Sequence, residues 1–252
     1  MAPFTEREQT DAVEKVHSAL DKVTLGNHHG AVVGIGGTAR TGTKVKVIRA
    51  LLAARGEGGI LFDVGCGFGH MMLAASTTGF DGACGCDFPD NKLQRQIIDS
   101  AKAKLGIDPD TICEWIGTNV MDLVMPERLR RRITAVYSFW NGFGPAPQHR
   151  TLELCRDTLI DVRSVAVYLD KEWRTPLTGM AADQFTFSLQ LLNPRIQSKS
   201  NRVFFQPVLA VLNKGAAASS PNWILYATIQ HFSVGNGEKH TAWVFHRQAR
   251  AD

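Results

Sequence analysis

The sequence has little of what marks several common protein classes. Its 252 residues include five cysteines, an odd number, and none of them forms a C-x-x-C pair. This usage argues against a disulfide framework and against a zinc site, so no metal is expected. It favours buried, reduced thiols, and the expected location is therefore intracellular, in the cytoplasm or the nucleus.

Long apolar runs and dense charge are also missing. No apolar run approaches the roughly 20 residues that a membrane helix needs, so no membrane partner is expected. The net charge is +4, with 44% hydrophobic and 21% charged residues, which is ordinary for a globular protein. Arg128 to Arg132 is a basic run before an expected strand, and it is typical of a solvated helix end. A nucleic-acid partner is therefore permitted and not required.

The most informative stretch runs from Gly59 to His70. Its apolar segment, Ile60 to Val64, indicates a fully buried strand, and a helix is expected from His70 onward. Between them the chain alternates three glycines, at Gly65, Gly67 and Gly69. Such a turn can bend sharply and lets a ligand lie against bare backbone. Strand, glycine turn and helix together predict a crossover that binds a nucleotide-type ligand.

The same turn differs from a dinucleotide-binding one. The pattern G-x-G-x-x-G needs a third glycine where His70 stands. Asp63 precedes the first glycine, and a carboxylate there would repel a pyrophosphate but suits an ammonium group. The pattern D-x-G-x-G-x-G resembles motif I of the class I S-adenosylmethionine (SAM) methyltransferases, which implies that Asp63 lies near the ligand's amino end. The residues implied to pass beneath its ribose and methionine moiety are Gly65, Cys66, Gly67 and Gly69.

A second expected strand, Phe80 to Asp87, also ends in an acid. An acid at the tip of the second strand is placed to bind both ribose hydroxyls. The end of this strand resembles motif II of the same family, which implies that role for Asp87. Phe88 or Pro89 is then expected to lie against the adenine.

Two further segments complete the expected cofactor site. In the family, the loop after the third strand reads the adenine edge with Asp or Asn, which implies Asn119 or Asp122, with Asn119 slightly favoured. A glycine-rich segment before the first strand leads into a helix from about Thr41, and its start is a natural seat for a carboxylate. The resemblance implies that Thr41 or Lys44 closes over the methionine end of SAM, with a simple helix cap as the alternative.

The methyl acceptor is expected at the end of the fourth strand, Ile133 to Phe139, because carboxyl ends of neighbouring strands face one crevice. Trp140 and Phe143 offer aromatic walls there, and the Asn141 amide can accept a hydrogen bond from an amino group. Asn141-Gly142-Phe143 resembles a degenerate Asn-Asn-Phe signature of Dot1-type histone lysine methyltransferases, with Gly142 in place of the second Asn. A weaker resemblance is to the Asn-Pro-Pro-Tyr loop of methyltransferases acting on nucleobases or glutamine. An aromatic turn that merely packs the core is the alternative.

The expected fold is α/β: a three-layer, Rossmann-like sheet with a helical N-terminal extension (1–30) and a methyltransferase domain (31–252). Antiparallel strands are expected in the C-terminal part. The implied function is SAM-dependent methylation of an amine, with a protein lysine of the Dot1 type as the first choice of acceptor. The alternatives are a nucleic-acid base or small-molecule amine, or a catalytically silent subunit that only binds SAM.

Overall fold

A mixed β-sheet lies at the centre of the protein. The computed structural model describes residues 4–24, 41–54, 58–87, 92–140, 143–168, 208–215, 222–232 and 239–248. The strands of the sheet are, in chain order, β1 (Ile60–Val64), β2 (Gly82–Cys86), β3 (Ile112–Ile116), β4 (Ile133–Ser138), β5 (Ser164–Tyr168), β6 (Trp223–Phe232) and β7 (Lys239–Arg247). They lie side by side in the order β3-β2-β1-β4-β5-β7-β6.

The direction of the strands defines where a ligand can bind. Strands β1 to β5 are parallel, and β7 enters antiparallel between β5 and β6. The strand order reverses between β1 and β4, so the connections leaving these two strands diverge to opposite faces. A crevice forms at such a switch point, at the carboxyl ends of the strands. The glycine turn and the end of β4 both lie at this edge.

Helices cover both faces of the sheet and form the two outer layers. They are α1 (Glu6–Thr24), α2 (Thr41–Leu52), α3 (His70–Ser76), α4 (Lys92–Leu105), α5 (Glu127–Arg130) and α6 (Pro145–Glu153). The side chains of α1 to α4 share one buried cluster with one face of the sheet. Those of α5, α6 and a helical segment at 208–212 share a second cluster with the opposite face. The expected α/β fold with antiparallel C-terminal strands is confirmed.

A few boundaries differ from the sequence-based expectation. The sequence pattern predicts a helix from Gln148 to Leu159, whereas helix α6 begins three residues earlier, at Pro145, because proline fits the first turn of a helix, where its missing N–H is not needed. The same helix ends in a π-helical turn, Leu154–Thr158. Strands expected at 185–189 and 203–205 lie outside the described residues.

Helix α1 is built into the core. Its start is a capping box, in which the Glu8 N–H donates to Thr5 Oγ1 at 3.2 Å and the Thr5 N–H donates to Glu8 Oε2 at 2.7 Å. Val13, Val16 and Leu20 are fully buried against α2, α3 and α4. The division of the chain at residue 30 stays a prediction, but the helix within that segment shares the core of the sheet.

The basic run lies at the edge of the sheet away from the crevice. The Ile60 N–H, at the start of β1, donates to the Arg132 carbonyl at 2.8 Å, which places the run at the amino ends of the parallel strands. Its arginines pair with Glu114 and Glu127. The expectation of a solvated helix end agrees with this placement.

Two further expectations from the sequence concern the cysteines and membrane-spanning helices. All five cysteines are free and buried. Within the described ranges, no helix is both long enough and apolar enough to span a bilayer.

The burial of α1 gives a test of its place in the core. Leu20→Ala should lower the free energy of unfolding by about 2–5 kcal/mol, because it removes a fully buried side chain and leaves a cavity. Urea denaturation measures this loss. Ser18→Ala, on the exposed face of the same helix, should change stability by less than about 0.5 kcal/mol. Equal, small effects of both changes would contradict the packing of α1.

Candidate functional site

The glycine turn after β1 is fixed to the tip of β2 by its own backbone. The Gly65 and Cys66 N–H groups both donate to the Cys86 carbonyl, at 2.8 and 3.1 Å. Gly65, Gly67 and Gly69 all have positive φ angles, 77°, 51° and 76°, which residues with a Cβ rarely adopt. The sequence pattern therefore reflects a backbone requirement at all three positions.

Gly67 presents open backbone. No described atom lies within 4 Å of the position that a Cβ on Gly67 would occupy. Cys66, by contrast, packs its side chain on Gly85, and burial raises the pKa of its thiol well above the usual range. The turn thus offers one bare peptide surface at Gly67, while the Cys66 side chain points into the protein.

Asp87 lies directly beside this open surface. It follows the last residue of β2, and its Oδ2 accepts a hydrogen bond from the Gly67 N–H at 2.6 Å. A hydrogen bond of this kind to a carboxylate is short and strong. It holds the acid against the glycine turn, and the role of Asp87 in binding ribose stays a prediction.

Asp63 is the second acid of the site, and it is buried. Only 2% of it is exposed, and it lies within β1 between Gly85 of β2 and Tyr137 of β4. Burial, and secondly the nearby charge of Asp87, raise the pKa of Asp63 to about 8, against the opposing effects of Lys44 and the Met72 N–H. At neutral pH this carboxyl is therefore mostly protonated, and a cation beside it would favour its ionised form.

Lys44 and two histidines stand on the helices next to Asp63. Lys44 is 4% exposed, and its Nζ lies 3.1 Å from Nε2 of His17 on α1. The His17 ring is 5.6 Å from the ring of His70, the residue in the place of a third motif glycine. Burial, and secondly the charge of Lys44, lower the pKa of His70 well below its usual value, so its ring is neutral at neutral pH.

Sequence reasoning missed His17. A signal was present, because His17 falls on the same helical face as Val13, Val16 and Leu20, whose spacing predicts the buried side of α1. A histidine within such a face is often a core residue, and only the packing of α1 on α2 shows that it meets Lys44.

The loop after β4 reaches the glycine turn through Phe143. The Phe143 ring packs on Gly65, and its Cζ lies 2.5 Å from the position that a Cβ there would occupy. The Phe143 N–H donates to the Trp140 carbonyl at 2.9 Å, and Gln148 Nε2 donates to the Phe143 carbonyl at 2.7 Å. A buried bond from Ser138 Oγ to the Val64 carbonyl, 3.0 Å long, joins the tips of β4 and β1.

Trp140 is placed differently from the sequence-based expectation. Its side chain is 1% exposed and lies in the core under α5 and α6, with no surface toward the crevice. Side chains alternate between the faces of a strand, and the alternation continues past β4, so Phe139 packs on one face and Trp140 on the other. Trp140 therefore supports the loop from the core, as in the packing alternative. Asn141, like Phe88, lies outside the described residues.

The remaining predicted residues lie around the same edge. Asn119 is half-buried, and its Oδ1 accepts a hydrogen bond from the Met121 N–H at 3.0 Å, whereas Asp122 is exposed. Thr41 is half-buried and is the first residue of α2. The structure thus brings Lys44, Asp63 and Asp87 together, and it leaves the choice between Asn119 and Asp122 as a prediction.

Comparison with known proteins bears on the fold. No family model matches the chain, and no curated protein does. Similar solved structures include a "putative RNA methyltransferase" from Pyrococcus horikoshii, 12% identical, covering 96% of this chain and 100% of that one with a TM-score of 0.52. At this identity the likeness shows the fold alone.

Two other similar structures have lower TM-scores. An rRNA methylase from Streptococcus thermophilus is 12% identical, with 81% of this chain and 95% of that one covered and a TM-score of 0.49. An N-methyltransferase from Bradyrhizobium japonicum is 10% identical, with 82% and 94% covered and a TM-score of 0.46.

The raised pKa of Asp63 predicts a pH-dependent cost to stability. The folded protein holds the Asp63 proton up to about pH 8, while the unfolded chain releases it near pH 3.8, so the Asp63 contribution to the free energy of unfolding falls as pH rises between these values. Asp63→Asn cannot ionise. Its stability relative to the wild type should therefore rise by about 3–4 kcal/mol between pH 5 and pH 8.

Urea denaturation of both proteins at several pH values in this range measures the gain. Asp122→Asn, an exposed acid, is the matched control and should follow the wild type. A difference between Asp63→Asn and the wild type that stays constant with pH would contradict the buried, protonated state of Asp63.

Proposed function

We propose that this chain, which has the fold of the class I SAM-dependent methyltransferases, binds SAM at the glycine turn and transfers its methyl group to an amine nitrogen. The ionisable groups around the turn carry the proposal, with Asp63 ionised when a cation lies beside it. They are two carboxyl groups, Asp63 and Asp87, and one ammonium, Lys44. SAM has the opposite set: a sulfonium and an ammonium, which are cationic, and one carboxylate.

A dinucleotide fits this set of charges poorly. Its pyrophosphate would lie against the glycine turn, where the nearest acids would repel it. The open side of Gly67 suits a ligand that lies flat on the backbone, and Asp87 beside it is placed to accept hydrogen bonds from ribose hydroxyls. Asp63 would then face the ammonium group of the ligand. Lys44, with Thr41 close by on α2, would face the carboxylate of the ligand.

The adenine and the methyl acceptor would lie on the two sides of the glycine turn. Asn119, or Asp122 as the second choice, would contact the adenine edge, with Phe88 against the ring. Phe143 lies on Gly65 at the tip of β1, where its aromatic face could stabilise the positive charge near the transferred methyl group. Asn141 would accept a hydrogen bond from the acceptor amine.

Bound SAM would supply an activated methyl group, so the residues of the chain mainly need to align the acceptor and exclude water. Alignment alone can contribute roughly 7–11 kcal/mol. Phe143 is suited to this because its backbone is held on both sides, by the hydrogen bond from its N–H to the Trp140 carbonyl and by the one from Gln148 Nε2 to its own carbonyl. The acceptor nitrogen must arrive without its proton so that its lone pair can attack.

For the acceptor, we place a nucleic-acid base or a small-molecule amine ahead of a protein lysine. A similar solved structure with a TM-score of 0.52 is named for RNA. The Dot1-type alternative depends on Asn141 and Gly142, which lie outside the described residues. We also keep the proposal of an intracellular location, which the five buried free thiols support.

Binding of SAM tests the cofactor assignment. In calorimetry the wild type should bind SAM and not NAD. Asp87→Ala should weaken SAM binding by about 30-fold or more, because one carboxylate both holds the turn and accepts the ribose hydrogen bonds. Glu127→Ala, an exposed acid at the opposite edge, is the control and should bind like the wild type. Binding of NAD in preference to SAM would overturn the proposal.

Transfer of labelled methyl tests the reaction and its acceptor. Incubation with labelled SAM and, separately, tRNA, histones and a metabolite extract should place label in the RNA or the small-molecule fraction. Asn141→Ala should lower turnover while leaving SAM affinity nearly unchanged, since its role is toward the acceptor. Label in histones alone would favour the lysine alternative, and SAM binding with no transfer to any acceptor would indicate a silent subunit.

A further inference from the structure

Three helices bring polar side chains together behind the glycine turn. His17 comes from α1, Lys44 from α2 and His70 from the start of α3, and all three lie on the side of the sheet to which Asp63 points. The rest of this face is apolar, and the helices pack there through one hydrophobic cluster. A polar group within such a cluster is costly unless it has a partner, so the contact between His17 and Lys44 has a structural consequence.

The roles in this contact follow from the chemistry of the two groups. A lysine ammonium has only donors, so His17 Nε2, 3.1 Å from Lys44 Nζ, must be the acceptor. The imidazole is then neutral, with its proton on Nδ1. The hydrogen bond fixes one of the three directions in which the ammonium can donate.

Holding the ammonium in place matters because a lysine side chain is flexible. Its four-carbon stem gives the charge many positions, and each fixed position costs conformational entropy. Val13, Val16 and Leu20 anchor α1 around His17, so the acceptor itself is rigid. Lys44 is therefore held in advance beside Asp63, in the arrangement that an α-amino acid zwitterion would need, and less ordering is left for the ligand to bring about.

We propose that His17 is a positioning residue for cofactor binding: it holds the Lys44 ammonium where the carboxylate of SAM's amino-acid end binds. This inference rests on the proposed function, and it assigns to α1 a part in recognising the amino-acid end of the ligand. Asp87 and the glycine turn would bind the nucleoside end of SAM. His17 acts only through Lys44 and therefore should not affect binding of that end. The two ends can therefore be tested apart.

The experiment compares two ligands and three variants by calorimetry. SAM carries the amino-acid end, and 5′-methylthioadenosine has the same nucleoside without it. His17→Leu fills the apolar face of α1 but has no acceptor, whereas His17→Gln offers a carbonyl oxygen near the place of Nε2. Ser18→Ala, on the exposed face of the helix, is the control.

His17→Leu should weaken SAM binding about tenfold, the size expected for one hydrogen bond to a charged group, and leave methylthioadenosine binding within about twofold. His17→Gln should recover most of the SAM affinity, and Ser18→Ala should bind both ligands like the wild type. Equal losses for the two ligands in His17→Leu, no loss for SAM, or no recovery in His17→Gln would each overturn the role of His17. Failure of the wild type to bind SAM would instead overturn the proposed function, and this inference with it.

Discussion

The site depends on two carboxyl groups that the sheet forces close together. Parallel pairing of β1 and β2 places Asp63 opposite Gly85, and Asp87 follows two residues later at the tip of β2. One of these acids is buried, and its pKa is raised to about 8 because the protein gives it little solvation and a like charge nearby. Folding alone does not favour this arrangement, since replacing such an acid with a neutral residue would relieve the repulsion. The cationic ligand proposed here would offset this repulsion by lying between the acids.

Apolar packing on both faces of the sheet offsets the free-energy cost of holding the two acids close together. One cluster fills the space under α1 to α4, and the other the space under α5, α6 and the segment 208–212. Strands β1, β2 and β5 are short and fully buried, and β4 is nearly so, which holds their tips rigidly. Hydrogen bonds from Gly65, Cys66 and Ser138 tie the tips of β1, β2 and β4 to one another. A rigid edge of this kind can keep a ligand-binding geometry before the ligand arrives.

Helix α1 contributes a polar contact to the site in addition to its apolar packing on the core. Its apolar residues belong to the main core, and His17, within the same face, contacts Lys44. A helix that looks from its sequence like an accessory thereby lies next to the centre of the site. The basic run at residues 128–132 shows the opposite case, because its charges stand out in the sequence and lie at the far edge of the sheet.

Local patterns alone determined much of this protein. The apolar run before Gly65, the alternate glycines, the acids at the ends of two strands and the spacing of α1 are all short-range features, and each acts through backbone geometry or side-chain periodicity within a few residues. Only the tertiary structure decided which side chains meet across elements. It placed Trp140 in the core because strand alternation continues past β4, and it brought His17 to Lys44 because α1 packs on α2. Such contacts join residues far apart in the chain, and no local pattern records them.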